Sequence, residues 1–131
     1  MWLLKTEPSE YSFGDLQKAG KAVWDGVTNP VALKNLRAMK VGERVIVYHT
    51  GNEKAAIGIA RVTRAAYPDP KAGDPKLVVV QLEPVGPLGR SVTLAEIKSL
   101  PVFRDSPLVR QGRLSVVPLT PEQWSALVGK K

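Results

Sequence analysis

Trp24-Asp25-Gly26-Val27 sets a large aromatic ring directly against a carboxylate and a turn, and Thr28-Asn29-Pro30 follows. A tryptophan held only for packing has apolar neighbours at strand or helix period. One that opens into Asp-Gly suits the wall or rim of a pocket, where polar groups beside it read a ligand's edge. The alternative is a core tryptophan whose strand happens to end in a turn. A second candidate group is Lys5-Thr6-Glu7, donors and acceptors where the first strand ends. An acidic side chain beside a pocket can accept hydrogen bonds from the exocyclic amino group of a base. A third is Leu108–Ser115, in which Arg110, Gln111 and Arg113 surround Gly112. Guanidinium forks and amides suit phosphate or base-edge contacts, and the glycine permits close backbone approach. The same residues could instead form a solvated turn with an ion pair to Asp105 or Glu122.

Other chemistries find little support. There is one histidine, His49, which follows Tyr48 at a strand end. A metal site would need His49 plus carboxylates that no motif gathers, so neither metal nor cofactor is expected. No Walker loop, dinucleotide fingerprint or Gly-x-Ser-x-Gly elbow is present. The absence of cysteine removes disulfides and thiolate chemistry and fits a cytoplasmic location. The opening Met1–Glu7 segment lacks a basic stretch and a long apolar run, so neither export nor a membrane partner is expected. A net charge of +7 is spread along the chain rather than gathered in a tail, so any positive patch must be assembled by folding.

The elements that position these groups are short. Trp2–Lys5 reads as a strand, and Ser12-Phe13-Gly14-Asp15 as a capping box for a helix stopping near Gly20. Ala22–Trp24 follows as a strand, then a helix from Asn29-Pro30 to about Lys40. That helix carries Ala32, Leu33, Leu36 and Met39 on one face and Lys34, Arg37 and Lys40 on its flank. Arg44–His49 and Ala56–Thr63 have hairpin character, with small residues Gly58 and Ala60 on one face admitting a close neighbour or a bend. Tyr67–Lys76 reads as an exposed loop and Leu77–Val85 as a covered strand. Thr93-Leu94-Ala95-Glu96 and Thr120-Pro121-Glu122-Gln123 are further capping boxes, with a strand at Leu114–Val117 between their helices. In the last helix Trp124 and Leu127 are the expected anchors. A single α+β domain over residues 1–131, built around a small barrel, accounts for this order.

Trp2-Leu3-Leu4-Lys5-Thr6-Glu7-Pro8, Tyr11-Ser12, Asp15-Leu16, Trp24-Asp25-Gly26-Val27 and Asn35-Leu36-Arg37 resemble the EVE domain family. Tyr48-His49, Gly58-Ile59-Ala60, Ala66-Tyr67-Pro68-Asp69, Val92-Thr93-Leu94 and Leu108–Ser115 extend the resemblance across nearly the whole chain. It implies a PUA-like mixed β-barrel with flanking short helices, similar in layout to YTH domains. It also implies non-catalytic binding of a modified base in DNA or RNA. By the same likeness Trp24 stacks on the base, Asp25 reads an edge, Thr6 and Glu7 line the opposite side, and Tyr48 and His49 close the floor or a wall. Lys5, Lys34, Arg37, Arg110, Gln111 and Arg113 are then the groups that hold phosphates or the pocket edge. Family members commonly carry a tryptophan after the Asp-Pro loop; here the strand reads Pro75-Lys76-Leu77-Val78, leaving Leu77 where a second cage wall would stand.

Two other classes compete. In one, Glu7, Asp25 and His49 act as acid and base on a nucleotide-like compound. In the other, Trp2 or Trp124 is an exposed anchor for a protein partner, although each falls in an apolar segment.

Overall fold

Each helix begins where a side chain satisfies its first free N–H groups. The computed structural model describes residues 1–129. After strand β1 (Trp2–Thr6), the Ser12 hydroxyl accepts from the Asp15 N–H and the Asp15 carboxylate accepts from the Ser12 N–H, opening α1 (Phe13–Ala19). Strand β2 (Ala22–Trp24) precedes α2 (Pro30–Ala38), whose first N–H groups donate to the Asn29 side chain. Hairpin strands β3 (Arg44–His49) and β4 (Ala55–Pro68) follow, then β5 (Val78–Thr93). Reciprocal boxes at Thr93/Glu96 and Thr120/Gln123 open α3 (Leu94–Ser99) and α5 (Pro121–Val128). Between these lie a 3₁₀ turn (Pro101–Phe103), α4 (Pro107–Arg110) and strand β6 (Val116–Pro118).

The strands form one six-stranded sheet in the order β2-β5-β4-β3-β1-β6. Strand β1 runs parallel to β3, with Leu3 opposite Ile46 and Thr6 opposite His49, and antiparallel to β6. The β4–β5 pair is the longest, and its register slips at Ala56/Gly58, Ile59/Ala60, Val62/Arg64 and Arg64/Tyr67. Each slip bends the ribbon and adds twist. The result is a curled half-barrel that brings the two ends of the strand order towards each other.

Apolar side chains are buried on both faces of the sheet, since neighbours along β1 and β3 alternate in direction and Leu3, Leu4, Val45, Ile46 and Val47 are all buried. Leu3, Leu4, Val45, Ile46, Val47, Val80 and Leu82 from the sheet pack with Leu16 of α1 and Leu33 and Leu36 of α2. Four residues expected on one face of α2, namely Ala32, Leu33, Leu36 and Met39, are all buried. The Asn35 amide ties that helix to β6 by donating to the Val116 carbonyl at 2.8 Å.

Several boundaries differ from the sequence reading. Strand β4 continues through Tyr67 and Pro68, which local composition assigns to a loop. Strand β5 runs on through Pro84, Gly86, Pro87 and Gly89 to Thr93, because the bulged pairing with β4 tolerates residues that would interrupt a regular ladder. The helix Pro107–Arg110 overlaps the start of the basic segment, where local composition gives only a turn.

Gly58 shows why a small residue stands on β4. A Cβ added there would lie 2.5 Å from the Phe13 ring, so the ring of α1 packs directly on bare backbone. Gly58→Ala is therefore expected to lower unfolding stability by about 1–3 kcal/mol through overpacking. Chemical denaturation checks this, and Phe13→Leu should recover part of the loss in the double variant.

Candidate nucleic-acid interface

The curl leaves a seam. Ala22, Val23 and Trp24 belong to the edge strand β2, whereas Lys5 and Thr6 belong to β1, one strand in from the opposite edge. Both sets line one cleft of about 590 Å³, together with Glu7, Glu10, Tyr11, Asp25, Gly26, Val27 and Ser115. A volume of that size falls in the range of about 300–1,000 Å³ usual for small-ligand sites. Beyond Trp24 the chain turns at Gly26, whose φ of +78° is open to glycine but strained for other residues.

The first strand delivers its polar groups to the seam through a tight turn. The Glu7 carbonyl accepts from the Glu10 and Tyr11 N–H groups at 2.9 Å, and the Thr6 hydroxyl donates to the Tyr11 carbonyl at 2.6 Å. These bonds fix Tyr11 opposite β2. The Tyr11 and Trp24 rings meet with centroids 6.1 Å apart and planes at 84°. Rings so arranged touch edge to face and leave no slot for a third ring between them. Trp24 itself is only 8% exposed, so it is at once a core residue and part of the cleft wall. A planar guest would therefore lie beside the Tyr11–Trp24 pair, or displace Tyr11 to lie flat on the indole.

The lining is electrostatically mixed: one basic residue, Lys5, and three acidic ones, Glu7, Glu10 and Asp25, contribute to it. Lys5 is half-buried, and its Nζ donates to the Gly112 carbonyl at 2.8 Å while lying 5.8 Å from the Tyr48 ring centroid. Burial lowers its pKa from the usual lysine value. The Glu7 carboxylate accepts from the Ser9 N–H and hydroxyl, which holds its pKa below the usual carboxylate value. Burial raises the pKa of both Tyr11 and Tyr48 above the usual phenol value.

Of the residues singled out from the sequence, the fold thus brings Lys5, Thr6, Glu7, Trp24 and Asp25 to one cleft. Tyr48 and His49 are buried behind it rather than lining it. His49 Nε2 accepts the buried Phe13 N–H at 3.0 Å, and Nδ1 lies 2.7 Å from Glu53 Oε1, so both ring nitrogens are engaged. The Phe13 bond puts the neutral ring's proton on Nδ1. Lys34 and Arg37 lie exposed on α2, and Arg37 donates to the Lys76 carbonyl at 2.7 Å. Arg110 pairs with Asp105 at 3.1 Å, while Gln111 and Arg113 are exposed on the loop that carries Gly112 and Ser115 to the cleft. Leu77 packs on the core and does not line the cleft.

Tyr11, Glu10 and Ser115 are cleft residues that the sequence reading did not single out. Tyr11 sits in the resembling segment, but only the turn at Glu7 shows that its ring faces Trp24. Among the described residues no group of three or more His, Asp or Glu could hold a metal ion, and no helix is long and apolar enough to cross a membrane.

The EVE domain model matches residues 1–130. The chain belongs to the EVE domain family. Human thymocyte nuclear protein 1 is 31% identical to it, over 94% of this chain and 70% of that protein. The solution structure of Rpa0253 from Rhodopseudomonas palustris superimposes with a TM-score of 0.90 at 39% identity, covering 97% of this chain and 89% of that one. Human THYN1, solved in complex with DNA containing 5-methylcytosine, gives a TM-score of 0.87 at 32% identity, covering 95% of this chain and 93% of that one. The α+β, PUA-like architecture implied by the resemblance is the one observed.

The bond from Phe13 to His49 predicts a structural cost when the imidazole is removed. His49→Ala leaves a buried N–H without its acceptor, and unfolding stability should fall by about 1–3 kcal/mol. Urea titration measures this; a variant as stable as the parent would contradict the buried structural role.

Proposed function

We propose that this EVE domain is a non-catalytic reader of a modified nucleobase, taken from DNA or RNA into the seam between β2 and β1. One observation carries the reading: a cleft where an indole wall meets an ammonium donor and several carboxylate acceptors, in a chain similar to a human protein solved with 5-methylcytosine DNA. An amino-bearing base edge offers a donor for a carboxylate and an acceptor for Lys5. Tyr11 and Trp24 supply the apolar surface on which its ring rests.

Magnitudes favour a base already free of its stack. Extruding a base from a duplex costs a few kcal/mol, and one aromatic contact returns about 1–3 kcal/mol. With Trp24 mostly covered, the return lies towards the lower end, so single-stranded or distorted sites are preferred and phosphate contacts must add affinity. An acid–base enzyme built on Glu7, Asp25 and His49 is disfavoured because His49 stands outside the cleft with both nitrogens bonded. An adaptor using Trp2 or Trp124 is disfavoured because both rings are half-buried against the core.

The test is a binding titration of oligonucleotides with and without 5-methylcytosine, as DNA and as RNA, with mass analysis of the recovered ligand. Preference for the modified strand and unchanged ligand are expected. Trp24→Leu should weaken modified-strand binding about tenfold, in line with the loss of one stacking partner, while a thermal melt confirms that the variant folds. Equal affinity in that variant would remove the indole from the site. Because burial lowers the pKa of Lys5, it loses its proton at a lower pH than a free lysine does. Affinity should therefore decline as the pH rises into the alkaline range, and Lys5→Met should abolish that dependence.

A further inference from the structure

Three of the residues lining the cleft, Glu7, Glu10 and Asp25, are acidic against one basic residue, Lys5, so a strand whose base enters there needs its backbone held by another surface. Several guanidinium groups are already engaged: Arg61 by Glu83, Arg90 by Glu96, Arg110 by Asp105 and Arg37 by the Lys76 carbonyl. Arg64 is different. Its guanidinium carbon lies 3.8 Å from the centroid of the Tyr67 ring, and among the described residues it has no carboxylate partner. The Gln81 amide donates to the Tyr67 hydroxyl at 3.4 Å and steadies the ring beneath. Tyr67 is half-buried and Arg64 exposed, so the stack presents a flat cation to solvent with its N–H donors unspent.

Strand register relates this stack to the cleft. Val23 on β2 pairs with Gln81 on β5, and Gln81 pairs in turn with Arg64 on β4. Paired residues share a face, so the three stand in one row across the outer surface of the sheet. Val23 is 46% exposed and itself lines the cleft. Two strand spacings, about 10 Å, separate it from Arg64, within reach of the nucleotide next to one whose base occupies the seam.

We propose that Arg64, held flat on Tyr67, binds the phosphate flanking the base in the cleft. The proposal rests on the base-binding reading of the seam and extends it to a second contact on the outer face of the sheet. The ring fixes the plane of the guanidinium, so that two of its N–H groups meet two phosphate oxygens at little cost in side-chain order.

The experiment compares two probes, a single-stranded oligonucleotide carrying one 5-methylcytosine and the free nucleoside 5-methylcytidine. Arg64→Ala should weaken oligonucleotide binding about tenfold and make its salt slope shallower by about 0.7, the contribution of one phosphate in a single strand. Nucleoside binding, followed by NMR shift changes at the cleft, should stay as in the parent. Arg64→Lys keeps the charge but not the fork, and Tyr67→Leu keeps the arginine but not its support; each should lose part of the affinity. Oligonucleotide affinity and salt slope unchanged in Arg64→Ala would overturn the proposal. So would a parallel loss of nucleoside binding, which would place the effect in the cleft or the fold. The parent's preference for methylated over unmethylated strands tests the cleft separately. Its absence would defeat base reading, while the change in salt slope would still report on the phosphate contact.

Discussion

The candidate site exists because the sheet does not close. A ladder of six strands has two edges, and here the long, bulged β4–β5 ribbon bends until β2 stands opposite β1. Had β2 met the other edge strand, β6, as a hydrogen-bonded neighbour, the barrel would be sealed and its interior filled by side chains alone. The gap instead leaves a cleft between an aromatic wall from the edge strand β2 and the polar turn that follows β1. Every group at the cleft depends on that separation being held, and the turn at Glu7 and the packing of α1 on Gly58 are what hold the β1 side in place.

The placement of α1 also explains the histidine. Phe13 presses its ring on the backbone at Gly58 and sends its own N–H to His49, so one residue at the start of the helix is gripped by two strands. Glu53 orients the imidazole from the loop beyond β3. A residue type that chemistry would nominate for proton transfer is thereby used as a bracket between helix and sheet.

Much of the architecture was legible because local punctuation agrees with the fold. The Ser12, Asn29, Thr93 and Thr120 caps each mark a helix start that backbone geometry alone would leave uncertain. The extent of β4 and β5 was not legible, since Pro84, Gly86 and Pro87 break strands in isolation and are carried here by bulged pairing with a distant segment. The same limit applied at the cleft. Trp24 announced itself by its neighbours in the chain, whereas Tyr11 faces it only after a turn and a curl have acted together. Arg110, foremost in the basic segment, is engaged by Asp105 five positions earlier, while Arg64 lies between an expected strand end and an expected loop, where nothing in the chain marks it.

Leaving a sheet open exposes backbone donors and acceptors along its margins, and such margins invite other chains to add strands. Here both marginal strands, β2 and β6, are only three residues long, and the second ends in Pro118. A stranger's peptide would find too few consecutive sites for a stable ladder, and a proline that offers no N–H. The molecule can thus keep its cleft unsealed without becoming a template for aggregation.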